Sequence, residues 1–211
     1  MHILIADDHP FIRKGIREAL EEHLTGCTVS EAADGISAYS LLISKSFDLA
    51  IVDISMPGKD GLTLIRDVHA LRPAARFLVL SVYTEMEFAE RAYSNGAMGY
   101  LDKMCDPETM VSAVKHILKG NIYVSPGYAE VLVRRLSGAQ SATDQNVLTD
   151  REFSILRMIA HGKSLKKIGE ELNISIKTVS THKKRIMEKL GKTTNAELIA
   201  YAIEHGLNKA M

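Results

Sequence analysis

The sequence has no stretch approaching the roughly 20 consecutive apolar residues that a bilayer-spanning helix needs, so no membrane partner is expected. It has only two cysteines, Cys27 and Cys105, far apart and in no Cys-x-x-Cys pair. Free thiols in a reducing cytosol are the reading, not a disulfide framework. No basic segment precedes the acids at positions 7 and 8, which argues against a secretory signal and for a cytoplasmic protein. Net charge is also missing, with 26 Lys+Arg against 26 Asp+Glu. The zero is a sum of opposites. Residues 1–120 carry 12 basic against 17 acidic side chains, a balance of −5. Residues 121–147 balance at 2 against 2, and residues 148–211 carry 12 against 7, or +5. An acidic half joined to a basic half implies different partners for each, with a polyanion as the candidate for the second.

What is present divides the same way. At 211 residues, with 46% hydrophobic and 25% charged side chains, the chain can bury two ordinary cores. Residues 1–120 alternate short apolar runs with amphipathic stretches. The runs are Ile3 to Ala6, Thr28 to Ser30, Leu49 to Val52, Phe77 to Leu80 and Gly99 to Leu101. Between and after them, helix-period segments cover Phe11 to Glu22, Ile36 to Ile43, Leu62 to Leu71, Glu85 to Ser94 and Pro107 to Leu118. Alternation of this kind predicts an α/β, doubly wound, five-stranded parallel sheet with helices on both faces. A further helix is expected from about Gly127 to Leu136, followed by a small, polar, aperiodic linker at 137–146. Residues 121–147 are therefore read as a connecting helix and linker, and 148–211 as a second, all-α domain of four helices.

That second domain is punctuated by caps. Thr149 with Glu152, and Thr194 with Glu197, have capping-box spacing, while Ser164 and Ser175 stand before the two middle helices. Gly162, Gly191 and Gly206 are placed to end helices, and Asn173-Ile174 makes the short turn of a helix-turn-helix.

Three carboxylates fall where predicted strands end, Asp7 and Asp8 after the first and Asp53 after the third. In a doubly wound sheet these ends converge, and crowded anions are costly unless a cation offsets them. Oxygen ligands suit Mg²⁺ or a similar ion such as Mn²⁺. Ser81 ends the fourth strand and Lys103 follows the fifth. Carboxylates, a metal, a hydroxyl and a lysine form a site for handling a phosphoryl group, with Asp53 as nucleophile. The bland alternative is that acids end strands because loops are polar. It does not account for the whole set falling in register.

Here the sequence resembles the receiver domains of two-component response regulators. The matching stretches are Ile5-Ala6-Asp7-Asp8-His9-Pro10, then Ile51 through Gly61, with Asp53 and Pro57 within it, then Val79-Leu80-Ser81, then Gly99-Tyr100-Leu101-Asp102-Lys103. The resemblance implies that Asp53 accepts a phosphoryl group from a sensor histidine kinase. It implies that Asp8, Asp53 and the Ser55 carbonyl bind Mg²⁺, with Asp7 acting through water. Ser81 and Tyr100 would be the switch pair, and Lys103 would pair with the phosphate. Met104 stands where many receivers have proline, leaving the isomer of that peptide open.

In the basic half, the third helix carries Val179, Ile186 and Leu190 at helical spacing, with His182 or the Lys183 stem between them, as the buried stripe. Lys177, Ser180, Thr181 and Lys184 fall opposite. From Ser175 to Lys192 there are six Lys+Arg and one acid. Such a face suits a DNA major groove, although a solvated basic helix is the plain alternative. Residues 148–207 resemble the LuxR-type helix-turn-helix, which puts the chain in the NarL/FixJ class. That resemblance implies Ser180, Thr181 and Lys184 at base edges, and Thr178, His182, Lys183 and Lys189 at or near the phosphates. It also implies homodimers through the fourth helix on double-stranded promoter DNA, with RNA polymerase as a further candidate partner.

Two competing readings are weaker. A Mg²⁺-dependent phosphatase with an aspartyl nucleophile needs an acid two residues on, and Ser55 stands there. A constitutive DNA binder would leave the acids and Lys103 without a purpose. His161-Gly162-Lys163-Ser164 mimics a P-loop ending, but Arg157 occupies the required glycine position. His9 reads as a loop residue ahead of Pro10 rather than a metal ligand.

Overall fold

The computed structural model describes residues 1–82, 85–136, 147–172, 174–205 and 207. It divides into two compact units, Met1–Val133 and Arg134–Met211. The expected linker at 137–146, Asn173 of the expected turn, and Gly206 lie outside the described residues.

The first unit runs β1 (His2–Ala6), α1 (Pro10–His23), β2 (Thr28–Ala32), α2 (Gly35–Ser44), β3 (Leu49–Val52), α3 (Gly61–Leu71), β4 (Phe77–Ser81), α4 (Glu85–Ser94), β5 (Gly99–Asp102) and α5 (Pro107–Leu118), and α6 (Pro126–Leu136) crosses the boundary between the units. All pairings are parallel, in the order β2-β1-β3-β4-β5. The three inner strands are buried along their whole length except for His2. This is why they read as continuous apolar runs rather than alternating ones. α1 packs beside α5 on one face, where Ile3, Ile5, Leu20, Ile51, Leu78 and Ile117 meet. α2, α3 and α4 follow one another on the other.

The edge strand β2 is the exception, with Thr28 exposed and Val29, Ser30 and Glu31 half-buried. Helix starts follow the local chemistry. Asp34, Asp60 and Asp106 each accept backbone N–H bonds at the starts of α2, α3 and α5. Pro10 opens α1.

Order β2-β1-β3 means that the chain leaves β1 to one side and returns on the other. The crevice at that reversal lies at the carboxyl ends of β1 and β3, where ligands bind in such sheets. The loop after β3 is held tightly there. Gly61 donates its N–H to the Ile54 carbonyl at 2.9 Å. A Cβ on Gly61 would lie 2.1 Å from the Asp53 carbonyl oxygen.

The second unit contains α7 (Asp150–Ala160), α8 (Leu165–Glu171), α9 (Ile176–Leu190) and α10 (Asn195–Glu204). α7 packs on α9 and α10, and α8 on α9. Phe153, Leu156, Ile168, Val179, Ile186 and Leu198 are buried. Both expected capping boxes form, at Thr149/Glu152 and Thr194/Glu197. Ser164 and Ser175 cap α8 and α9, and Gly191 ends α9. The turn between α8 and α9 closes through Ile174 N–H donating to the Gly169 carbonyl at 2.9 Å. A Cβ at Gly169 would stand 2.8 Å from the Ile174 oxygen, so the tight turn needs glycine there. No helix among the described residues is long and apolar enough to cross a membrane.

Gly61→Ala should therefore cost the first unit about 1–3 kcal/mol, the scale of an overpacked core. The urea midpoint should fall with an unchanged slope. Gly15→Ala is the control. It lies in α1 with nothing within 4 Å of the added carbon, and should raise the midpoint slightly.

Candidate functional site

The sheet continues one residue beyond its strands. Asp53 N–H bonds to the Ala6 carbonyl at 2.8 Å, and Asp7 N–H bonds to the Ala32 carbonyl at 3.1 Å. This draws the acids after β1 and β3 to one point. Asp7 and Asp53 are each 2% exposed. Lys103 arrives from beyond β5, its N–H donating to the Ser81 carbonyl at 2.8 Å. Its side chain is 3% exposed, with Nζ 2.7 Å from Asp7 Oδ2 and 2.9 Å from Asp53 Oδ2. The structure thus brings Asp7, Asp8, Asp53 and Lys103 together, and Ser81 ends β4 beside them, fully buried. Tyr100 is fully buried and registers opposite Val79. Ser55 is half-buried, and its backbone N–H bonds to the Asp53 carboxylate. No peptide among the described residues is cis, so the bond before Met104 is trans.

One ammonium among three carboxylates leaves an excess of negative charge. Burial pushes the Asp53 carboxyl up to about 6. Lys103 pulls against that shift, while Asp7 adds to it. Burial works against the charge on Lys103 itself, but Asp53 and then Asp7 outweigh it and raise its pKa. Asp53 Oδ1 is buried without a hydrogen-bond partner. An orphaned carboxylate oxygen facing further carboxylates fits a divalent cation, which would satisfy it. One ligand atom from each of Asp7, Asp8, His9 and Asp53 can be chosen so that all lie within 4.8 Å of one another.

His9 is the loop residue ahead of Pro10 that the sequence suggests, although its contacts with the acids were not foreseen. Its Nδ1 lies 2.8 Å from Asp8 Oδ1 and 3.2 Å from Asp7 Oδ1. Arg13 was also not foreseen. It donates from Nη1 to the Asp7 carbonyl at 2.7 Å and from Nε to Glu31 at 2.9 Å, and Arg17 joins Glu31 at 3.0 Å. The arginines sit one helical turn apart, but only the pairing of β1 with β2 reveals their shared target.

In the second unit α9 presents one open face. Lys177, Thr178, Ser180, Thr181 and Lys184 are exposed, while Val179 and Ile186 are fully buried. Leu190, expected in the buried stripe, is only half-buried, as are His182 and Lys183. Lys184 has only a loose contact with Glu188, 3.8 Å between exposed groups, worth little. Of the residues expected near phosphates, Lys189 makes an ion pair within the unit and His182 is half-buried. Lys189 Nζ lies 2.6 Å from Glu152 Oε2. Glu152 also accepts the Thr149 N–H at 2.9 Å, so one carboxylate closes the cap of α7 and pins α9 to it. Burial works against its charge, but Lys189 and Thr149 hold the Glu152 carboxyl below its ordinary value. The His182 Nδ1 is buried without a hydrogen-bond partner. Burial, with Arg151 and Arg185, lowers its pKa against the pull of Glu152.

Comparison with known proteins finds a family for each half of the chain. The family model of response regulator receiver domains matches residues 3–115, and that of bacterial regulatory proteins of the luxR family matches residues 146–202. The chain is 36% identical to the oxygen regulatory protein NreC of Staphylococcus carnosus, over 98% of this chain and 99% of that protein. It is 29% identical to RcsB of Salmonella enterica serovar Typhimurium, solved bound to promoter P1flhDC in the presence of phosphomimetic BeF3−. There the TM-score is 0.59, covering 95% of this chain and 97% of that one. A two-component response regulator of the LuxR family from Aurantimonas is 34% identical, with a TM-score of 0.59 over 64% of this chain and 97% of that one.

The raised Asp53 value carries a stability consequence. Between about 4 and 6 the folded unit holds a proton that the unfolded chain has lost, so stability falls as pH rises through that window. Asp53→Asn removes the penalty. In chelator it should stabilise the first unit at pH 7.5, by on the order of 2 kcal/mol. The gain should vanish near pH 4. Thermal unfolding of the two proteins across pH measures it.

Proposed function

The chain belongs to the response regulators of the NarL/FixJ class, joining a receiver domain to a LuxR-type helix-turn-helix, and we propose that Asp53 is the phosphoacceptor through which a sensor histidine kinase controls promoter binding by α9. In general terms it is a phosphorylation-regulated, DNA-binding transcription regulator, of a family that is not enzymatic. The observation that carries the finer reading is the contact of one buried ammonium with two buried carboxylates, Lys103 with Asp7 and Asp53, at the reversal of the sheet.

In that reading an Asp53 oxygen attacks phosphorus as the phosphorus–nitrogen bond to the donor histidine breaks. The transferred group brings new negative oxygens to a site already rich in anions. Lys103 leaves its carboxylate contacts to pair with them. Asp8, Asp53 and the Ser55 carbonyl would hold Mg²⁺, or Mn²⁺ in its place, with Asp7 reaching it through water. The ion, when bound, neutralises charge on the phosphoryl oxygens. Ser81 donates its hydroxyl to the phosphoryl group and Tyr100 responds to the movement of β4. Such a change biases an equilibrium rather than creating a new state.

On DNA, the exposed hydroxyls and ammoniums of α9 enter the major groove. Ser180, Thr181 and Lys184 meet base edges, and Lys177, Thr178 and Lys183 stand closest to phosphates. Lys189 and His182 act behind that face, Lys189 through its Glu152 contact. Two copies joined through α10 meet two half-sites.

Treatment with a small phosphodonor and Mg²⁺ should tighten binding to an inverted-repeat DNA for the wild type and leave Asp53→Ala unchanged. Equal affinities for the two proteins would remove the gating. Lys184→Ala should relax base preference at one position, by about 1–3 kcal/mol. Lys183→Ala should weaken all sequences alike and reduce the slope of log affinity against log salt by about 1.

A further inference from the structure

We propose that Asp102 is a positioning residue for Lys103, its side chain fixing the turn after β5 that delivers the buried ammonium to the acidic edge. The inference rests on reading that edge as the phosphoacceptor site. It starts from Met104. This residue is not proline, so a backbone N–H follows Lys103 directly, and the peptide between the two is trans. That N–H donates to Asp102 Oδ1 at 2.7 Å. The next one, from Cys105, donates to the Asp102 carbonyl at 3.0 Å.

These bonds bracket Lys103. On its other side, Lys103 N–H donates to the Ser81 carbonyl at 2.8 Å, one step beyond the last β4–β5 pair, Ser81 with Asp102. Three consecutive backbone donors are therefore tied, and Asp102 receives two of them. Packing offers little substitute at the middle position, because Met104 is 88% exposed. The turn carries a demanding side chain. Lysine is long and has much rotamer freedom to lose, yet Lys103 Nζ meets Asp7 Oδ2 at 2.7 Å and Asp53 Oδ2 at 2.9 Å at once. A fixed Cα makes both distances attainable, and the peptide that follows that Cα is held by the Asp102 carboxylate. Misplacing a reacting group's partner by on the order of 1 Å can cost ~10²-fold in rate. A defect in this turn should therefore show in the chemistry at Asp53 before it shows in folding.

The test uses the full chain as wild type, Asp102→Ala, Asp102→Asn, Lys103→Ala and the combination of Asp102→Ala with Lys103→Ala, with far-UV circular dichroism as the folding control. Acetyl phosphate with Mg²⁺ is the probe. Its phosphoryl group leaves the acyl oxygen for an Asp53 oxygen, acetate departs, and intact mass gives the initial rate. Asp102→Ala should be labelled about three- to tenfold more slowly than wild type, the scale of one hydrogen bond. Asp102→Asn keeps an oxygen acceptor without the charge and should recover most of the wild-type rate. In the Lys103→Ala background, Asp102→Ala should change nothing further, since it acts only through that ammonium. An unchanged rate in Asp102→Ala, an Asp102→Asn protein as slow as Asp102→Ala, or a second loss in the double variant would each overturn the proposal. No labelling of the wild type, or Lys103→Ala labelled as fast as wild type, would instead sink the reading of the edge itself.

Discussion

The receiver half depends on one electrostatic compromise. Three carboxylates converge where the strand order reverses, and a single buried ammonium, that of Lys103, spans two of them. The arrangement is underneutralised. Burial leaves Asp53 with an elevated proton affinity even though Lys103 sits beside it, and one of its oxygens has no hydrogen-bond partner. Such a site is poorly satisfied alone and well satisfied by added positive charge. A group that arrives with its own charge and oxygens alters the balance among these side chains more than it could at a site already at rest.

The helix-turn-helix half solves a different problem with similar economy. α9 must keep one face apolar and fixed while the other stays open and cationic. Val179 and Ile186 supply the first, and Glu152 supplies an anchor by serving both the cap of α7 and the Lys189 ammonium. Held this way, the exposed lysines and hydroxyls of α9 stand on one face at fixed helical spacing. The opposite charge balances of the two halves follow the same division, with acids gathered in the pocket of one and cations on the open face of α9 in the other.

Much of this was legible in the sequence because it rests on local rules. The inner strands read as apolar runs since both faces are covered, and their ends agree with the observed elements to within one residue. The caps at Thr149, Ser164, Ser175 and Thr194 follow from side-chain chemistry at fixed offsets. The pocket acids could be placed because strand ends converge in a doubly wound sheet. Periodicity identifies faces but not partners. It could not tell that Arg13 would grip the Asp7 carbonyl and Glu31, that Lys189 would turn to Glu152, or that the His9 ring would lie over the acids. Each of these contacts depends on distances set by tertiary packing or by a loop conformation. Leu190 misled for the opposite reason, since it keeps helical spacing but lies in the last turn of α9 and is covered only in part.

The missing side chain at Gly61 has a mechanical corollary. The start of α3 sits directly on the Asp53 carbonyl, and Gly61 N–H bonds to the Ile54 carbonyl beside it. Any displacement of the Asp53 backbone towards α3 therefore meets that helix at once, with no side chain between them to give way.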